Sequence, residues 1–192
     1  MIENVLSEVR NCIICKEHLP NHPKPIIRAS SNSKILVIGQ APGQKVQNSG
    51  VPWGDASGKS LREWLNVSNE QFYDTNLFAI MPMGFCYPGT GKNGDFAPRK
   101  ECAATWHKKV LEQMPNIQLT LLIGKYAQDY YLLQYAKENL TETVKNYSAY
   151  LPNYIPLPHP SPRNNIWFKK NEWFKTDVIP LLQSIVKNIL ES

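Results

Sequence analysis

A chain of 192 residues with 42% hydrophobic and 19% charged residues can bury one substantial core, which excludes global disorder and points to a single domain over residues 1–192. No apolar run approaches the length needed to cross a bilayer, and Glu3, Glu8 and Arg10 interrupt "MIENVLSEVRNC" where a secretory segment needs an apolar stretch, so an intracellular, cytoplasmic protein without a membrane partner is expected. The net charge of +5 admits a polyanionic partner, since clustered Lys and Arg release counterions from phosphates, and equally a solvated basic surface.

Along the chain, "KILVIG" (Lys34–Gly39) is a β-branched run stopped by glycine, which predicts a buried strand that delivers "GQAPG" (Gly39–Gly43) into a loop. A helical pattern, "SGKSLREWL", follows from Ser57. "NLFAIM" (Asn76–Met81) predicts a second strand, and a second helix lies around "ECAATWHKKVLEQM" from Glu101. "LTLLIG" (Leu119–Gly124) predicts a third strand, "KYAQDYYLLQYA" from Lys125 a helix, and "NYIPLP" (Asn153–Pro158) a fourth strand. An amphipathic helix over Glu172–Leu190 closes the chain. Strands alternating with helices give an α/β fold, a three-layer α/β/α sandwich on a four-stranded, mostly parallel sheet.

Functional loops of such sheets leave the carboxyl ends of the strands. "GQAPG", "PMGFCYPGTGKNG" and "HPSPRNN" each follow a predicted strand and should converge on one edge. Any one of them reads as a tight Gly/Pro connection; together they read as a site. Basic residues gather beside them: Lys92, Arg99 and Lys100, then Arg163, Lys169 and Lys170. Cys12 and Cys15 form C-x2-C, with Cys86 and Cys102 as a second pair downstream. In an intracellular chain a disulfide framework is the weaker explanation, and pair-plus-pair spacing can close a four-thiolate metal site, zinc or iron–sulfur.

"GQAPG", "SGVPWGDASG" (Ser49–Gly58) and "HPSPRNN" (His159–Asn165) together resemble the uracil-DNA glycosylase superfamily. The closest likeness is to its family 4 type, whose members carry a related G-E-A-P-G motif, a later S-G-x-P-F segment, an H-P-S motif and four cysteines around a [4Fe-4S] cluster. The resemblance runs from Cys12 to about Lys170. It implies a monofunctional DNA repair enzyme that hydrolyses the N-glycosidic bond of uracil, or another deaminated base, in single- or double-stranded DNA and leaves an abasic site. A monomer is expected.

By this resemblance the catalytic candidates are His159, Asp55 and Gln40. His159 would donate to the departing base; Asp55 would orient the attacking water or cap the helix near Ser57. Trp53 would stack on the base, backbone amides at Gln40 and Ala41 would bond it, and Asn76 is the nearest amide side chain to read its edge. Ser161, Arg163, Asn164 and Lys92 would face DNA, with Arg163 where relatives insert a wedge into the gap left by the flipped base. Cys12, Cys15, Cys86 and Cys102 would hold the [4Fe-4S] cluster, zinc being the alternative.

The chain also departs from the family pattern. Gln40 and Ala41 stand where the most active relatives carry an acid, and the place of the pyrimidine-reading asparagine falls near Ala79 to Pro82. A non-catalytic nucleic-acid-binding module that keeps the pocket, or an enzyme of this fold acting on a small nucleotide or RNA, are the rival expectations.

Overall fold

The computed structural model of the chain describes residues 1–92 and 94–192. Its strands are β1 (Ile35–Ile38), β2 (Phe78–Ile80), β3 (Thr90–Gly91), β4 (Gly94–Asp95), β5 (Leu119–Ile123) and β6 (Tyr154–Leu157). All four expected strands pair in parallel as one sheet in the order β2-β1-β5-β6, with Ile35 in register with Phe78 on one side and Leu119 on the other. β3 and β4 form a separate antiparallel hairpin. Arg28 bridges Ile80 in antiparallel fashion, so the outer edge of β2 is covered.

The helices are α1 (Ile2–Arg10), α2 (Gln44–Ser49), α3 (Ala56–Leu65), α4 (Asn69–Tyr73), α5 (Lys100–Cys102), α6 (Lys108–Leu111), α7 (Lys125–Leu132), α8 (Leu140–Lys145), α9 (Asn165–Lys170) and α10 (Ile179–Glu191). A π-helical turn, Ala103–His107, joins α5 to α6. Because side chains alternate along a strand, each strand feeds both faces of the sheet. Leu36, Ile38, Ala79 and Leu122 point into one core with α1, the Lys100–Leu111 helix and α7. Ile35, Val37, Phe78, Ile80, Leu121 and Ile155 point into the other with α3, α4, α8 and α10. These two cores on one sheet are the three-layer α/β/α arrangement.

Within the first core sits a polar residue, His107, only 1% exposed. Its Nε2 lies 3.1 Å from the Pro82 carbonyl, which only accepts, so Nε2 carries the proton and Nδ1 accepts from the Tyr131 hydroxyl at 2.6 Å. Phe85 stacks on the ring at 5.6 Å. Both nitrogens are satisfied, and burial pushes the imidazole down to about 4.

Candidate functional site

At the carboxyl end of β1 the first motif opens a cleft of about 150 Å³ whose lining includes Gln40, Ala41, Trp53, Asp55, Asp95 and His159. The carbonyls of Gly39 and Gln40 accept from Met83 and Gly84 N–H at 2.8 and 3.0 Å, which ties this loop to the one after β2. Among the described residues the N–H groups of Gln40 and Ala41 bond to no other group of the chain. They are free donors at the cleft. The Gln40 side chain turns elsewhere: its Nε2 donates to the Phe96 carbonyl at 3.0 Å and anchors the β3–β4 hairpin.

Trp53 is built in under tight constraint. It has a left-handed backbone at φ 56°, its carbonyl accepts from Arg62 Nη1 at 3.1 Å, and its ring lies 5.6 Å from His159 at a 30° tilt. Glycines on both sides make the room. A Cβ on Gly58 would fall 1.7 Å from the Trp53 carbonyl oxygen, and one on Gly39 would fall 2.9 Å from the indole Cζ2. Asp55 caps α3 by accepting from Gly58 N–H at 3.0 Å and lines the cleft as well, so its capping and its proximity to a ligand coexist.

His159 enters from the loop after β6. Asn164 Nδ2 donates to its carbonyl at 2.8 Å, and Ser161 Oγ accepts from Arg163 N–H at 3.3 Å, so the loop braces itself. Burial depresses the imidazole below its ordinary range, and the charges of Asp55 and Asp95 oppose that shift. At neutral pH the ring is therefore uncharged, with one donor and one acceptor.

The structure brings His159, Trp53, Asp55, Gln40 and Ala41 together. Asn76 is a correction: it precedes β2, at the amino end of the sheet, where its Oδ1 accepts from Asn32 Nδ2 at 3.2 Å and it lines no part of the cleft. Lys92 is exposed in the turn between β3 and β4, outside the cleft, and Arg163 is exposed with its Nη1 3.8 Å from where a Gly94 Cβ would stand. Ser161 and Asn164 lie on the same loop as His159, with Asn164 also facing a second groove of about 250 Å³ beyond His159, beside Lys125 and Trp167. Sequence reasoning missed Asp95. The Asn93–Gly94 dipeptide is a hairpin signal that could have placed it on a short ribbon beside the site.

The four cysteines converge on another cavity, against Phe85, Pro25 and Arg99. Trp106 Nε1 donates to Cys12 Sγ at 3.4 Å. Burial pushes Cys86 up to about 11, Cys102 to about 12 and Cys15 above its usual value, so these thiols are protonated at neutral pH without a metal. Among the described residues no three His, Cys, Asp or Glu side chains close on a single ion. The chemistry of four thiols lining one cavity is that of a metal-ligating donor set, which zinc and iron–sulfur centres share.

The sequence model of the Uracil DNA glycosylase superfamily matches residues 27–183. The chain belongs to that superfamily. A curated relative, the Type-4 uracil-DNA glycosylase of Saccharolobus solfataricus, is 28% identical over 135 residues, covering 67% of this chain. The match spans 58% of that relative's length. A solution structure from Methanosarcina acetivorans, described as a "putative Uracil DNA glycosylase", aligns with 82% of this chain and 93% of its own at 15% identity and a TM-score of 0.48. The superfamily match covers β1 through the start of α10, and so takes in every residue of the cleft except Ile26.

Proposed function

We propose that this superfamily member is a monofunctional DNA glycosylase that hydrolyses the N-glycosidic bond of uracil, or another deaminated base, and leaves an abasic site. One observation carries the reading: His159, the free first-motif N–H groups and Trp53 meet in one cleft at the carboxyl edge of the sheet. The nucleotide is turned out of the stack at a cost of a few kcal/mol, and its base enters against Trp53. As the C1′–N bond breaks, its electron pair leaves with the base. His159 and the N–H groups of Gln40 and Ala41 face the growing negative charge. Water held by the Asp55 oxygen not used in capping attacks C1′; its oxygen becomes the sugar hydroxyl and its proton passes through Asp55 to solvent or to the released base. Arg163, Ser161 and the exposed Lys92 are proposed to meet the phosphates.

The four cysteines are proposed to hold a [4Fe-4S] cluster. The support is the convergence of all four on one cavity and the likeness of the chain to a Type-4 uracil-DNA glycosylase. When bound, the cluster supplies a cross-link between the segment after α1, the loop after β2 and the helix from Lys100; none of the cleft residues belongs to it.

The test is release of free base from oligonucleotides carrying one uracil, hypoxanthine or xanthine, single- and double-stranded. Wild-type protein is expected to release uracil, and His159→Ala to slow release by about 100-fold, the usual cost of removing one donor to a developing anion. Tight binding to uracil DNA with no release of any base is the outcome that leaves only a binding module.

A further inference from the structure

A glycosylase must stabilise charge of two signs, negative on the departing base and positive on the sugar. The first motif, with Gln40 and Ala41, offers the sugar no carboxylate. The structure places one beside that motif from another element: Asp95 of β4 lines the cleft, with Oδ2 3.5 Å from where a Gly43 Cβ would stand.

This carboxylate is held in place. Thr90 Oγ1 donates to Asp95 Oδ1, and the Tyr87 hydroxyl lies 2.6 Å from Thr90 Oγ1, so a chain of hydroxyls fixes one oxygen. The hairpin is tied at Phe96, whose N–H donates to the Gly89 carbonyl at 2.9 Å and whose carbonyl accepts from Gln40 Nε2. Asp95 is exposed, at the mouth, while Gly39, Ser57, Ile80 and Pro82 on the cleft wall are buried. A base turned into this cleft goes to the floor, and its sugar, tethered to the strand by phosphates on both sides, stays at the mouth. A carboxylate on the floor would repel the leaving anion; one at the mouth meets the sugar cation instead.

We propose that Asp95 is a second catalytic carboxylate, an ionised group that faces the sugar and stabilises its positive charge as the glycosidic bond breaks, while Asp55 orients the water. Gln40 then serves the chemistry indirectly, as the anchor of the hairpin that carries Asp95. This rests on the glycosylase reading and names the device that replaces the acid absent from its first motif.

The test compares wild type, Asp95→Asn and Asp55→Asn, the last keeping a residue able to cap α3. Two quantities are read: single-turnover uracil release, and affinity for the same DNA carrying either a cationic pyrrolidine or a neutral tetrahydrofuran in place of the nucleotide. Wild type is expected to prefer the cationic analogue. Asp95→Asn should lose that preference and slow release by about 100-fold, with melting temperature and tetrahydrofuran affinity unchanged. An Asp95→Asn protein that keeps both rate and preference overturns the inference and leaves the glycosylase reading standing, as does a wild type with no preference. A wild type that releases no base from any of these oligonucleotides defeats the glycosylase reading, and the catalytic role of Asp95 falls with it.

Discussion

His107 shows how a residue outside the cleft supports it. Its Nε2–H holds the Pro82 carbonyl, and Pro82 lines the cleft. Because burial depresses the folded imidazole from 6.5 to about 4, the unfolded chain binds a proton that the folded chain refuses. Stability is therefore full above about pH 6.5 and is lost as pH falls toward 4, by on the order of 3 kcal/mol for this residue alone. His107→Gln should lower the melting temperature at pH 7 and flatten its fall between pH 7 and 4; equal acid slopes in the two proteins would remove the assignment. Single residues were unevenly legible. His159 and Trp53 sat in recognisable motifs, whereas Asp95 lies in a Gly-rich stretch where its approach to Gly43 arises only from folding. Asn76 was misplaced because strand direction outranks proximity in sequence: it precedes β2, and the ligand edge is at the other end.

At the level of elements, the turn into α3 is the most constrained piece of the site. Trp53 takes a left-handed backbone, its carbonyl lies where a Gly58 Cβ would be, and Asp55 caps the helix onto Gly58 N–H. Gly58→Ala puts a methyl group against backbone rather than a flexible side chain, so relief requires moving the turn itself. The expected cost is about 3 kcal/mol of stability by denaturant unfolding, with base release reduced further because Trp53 and Asp55 shift together. A variant as stable and active as wild type would show the turn to be adaptable. All four strands were legible as β-branched runs, as was the final helix, whose Leu182, Val186 and Ile189 face the core. α1 was passed over, although Ile2, Leu6 and Val9 mark a buried stripe at helical spacing. α7 stopped short of its predicted pattern because Leu133 adopts φ 49°, a change that periodicity does not register.

On the scale of the whole molecule, the cysteines and the cleft occupy separate cavities linked by the loop after β2, which carries Pro82 to one and Cys86 to the other. If the four cysteines hold the proposed cluster, Cys86→Ser should reduce bound iron and melting temperature before it alters chemistry; a variant with normal iron content and stability but no activity would reverse that assignment. The same loop continues into the hairpin, whose turn holds the exposed Lys92, and Arg163 stands beside the Gly94 end of that hairpin. Basic groups from two different loops thus stand at the hairpin that carries Asp95 to the cleft, and on the proposed reading a sugar–phosphate backbone would pass beside them. If both side chains neutralise phosphates, each contributes about one released counterion, and the slope of log affinity against log salt should become shallower by about 1 in Arg163→Ala and again in Lys92→Ala, equally for DNA of any sequence. Arg163→Lys separates charge from shape: it keeps the slope, and a loss confined to duplex over single-stranded DNA would place the planar guanidinium in the gap left by the flipped base. An unchanged slope in all three variants would put the DNA path elsewhere, along the groove beyond His159 that Lys125 borders.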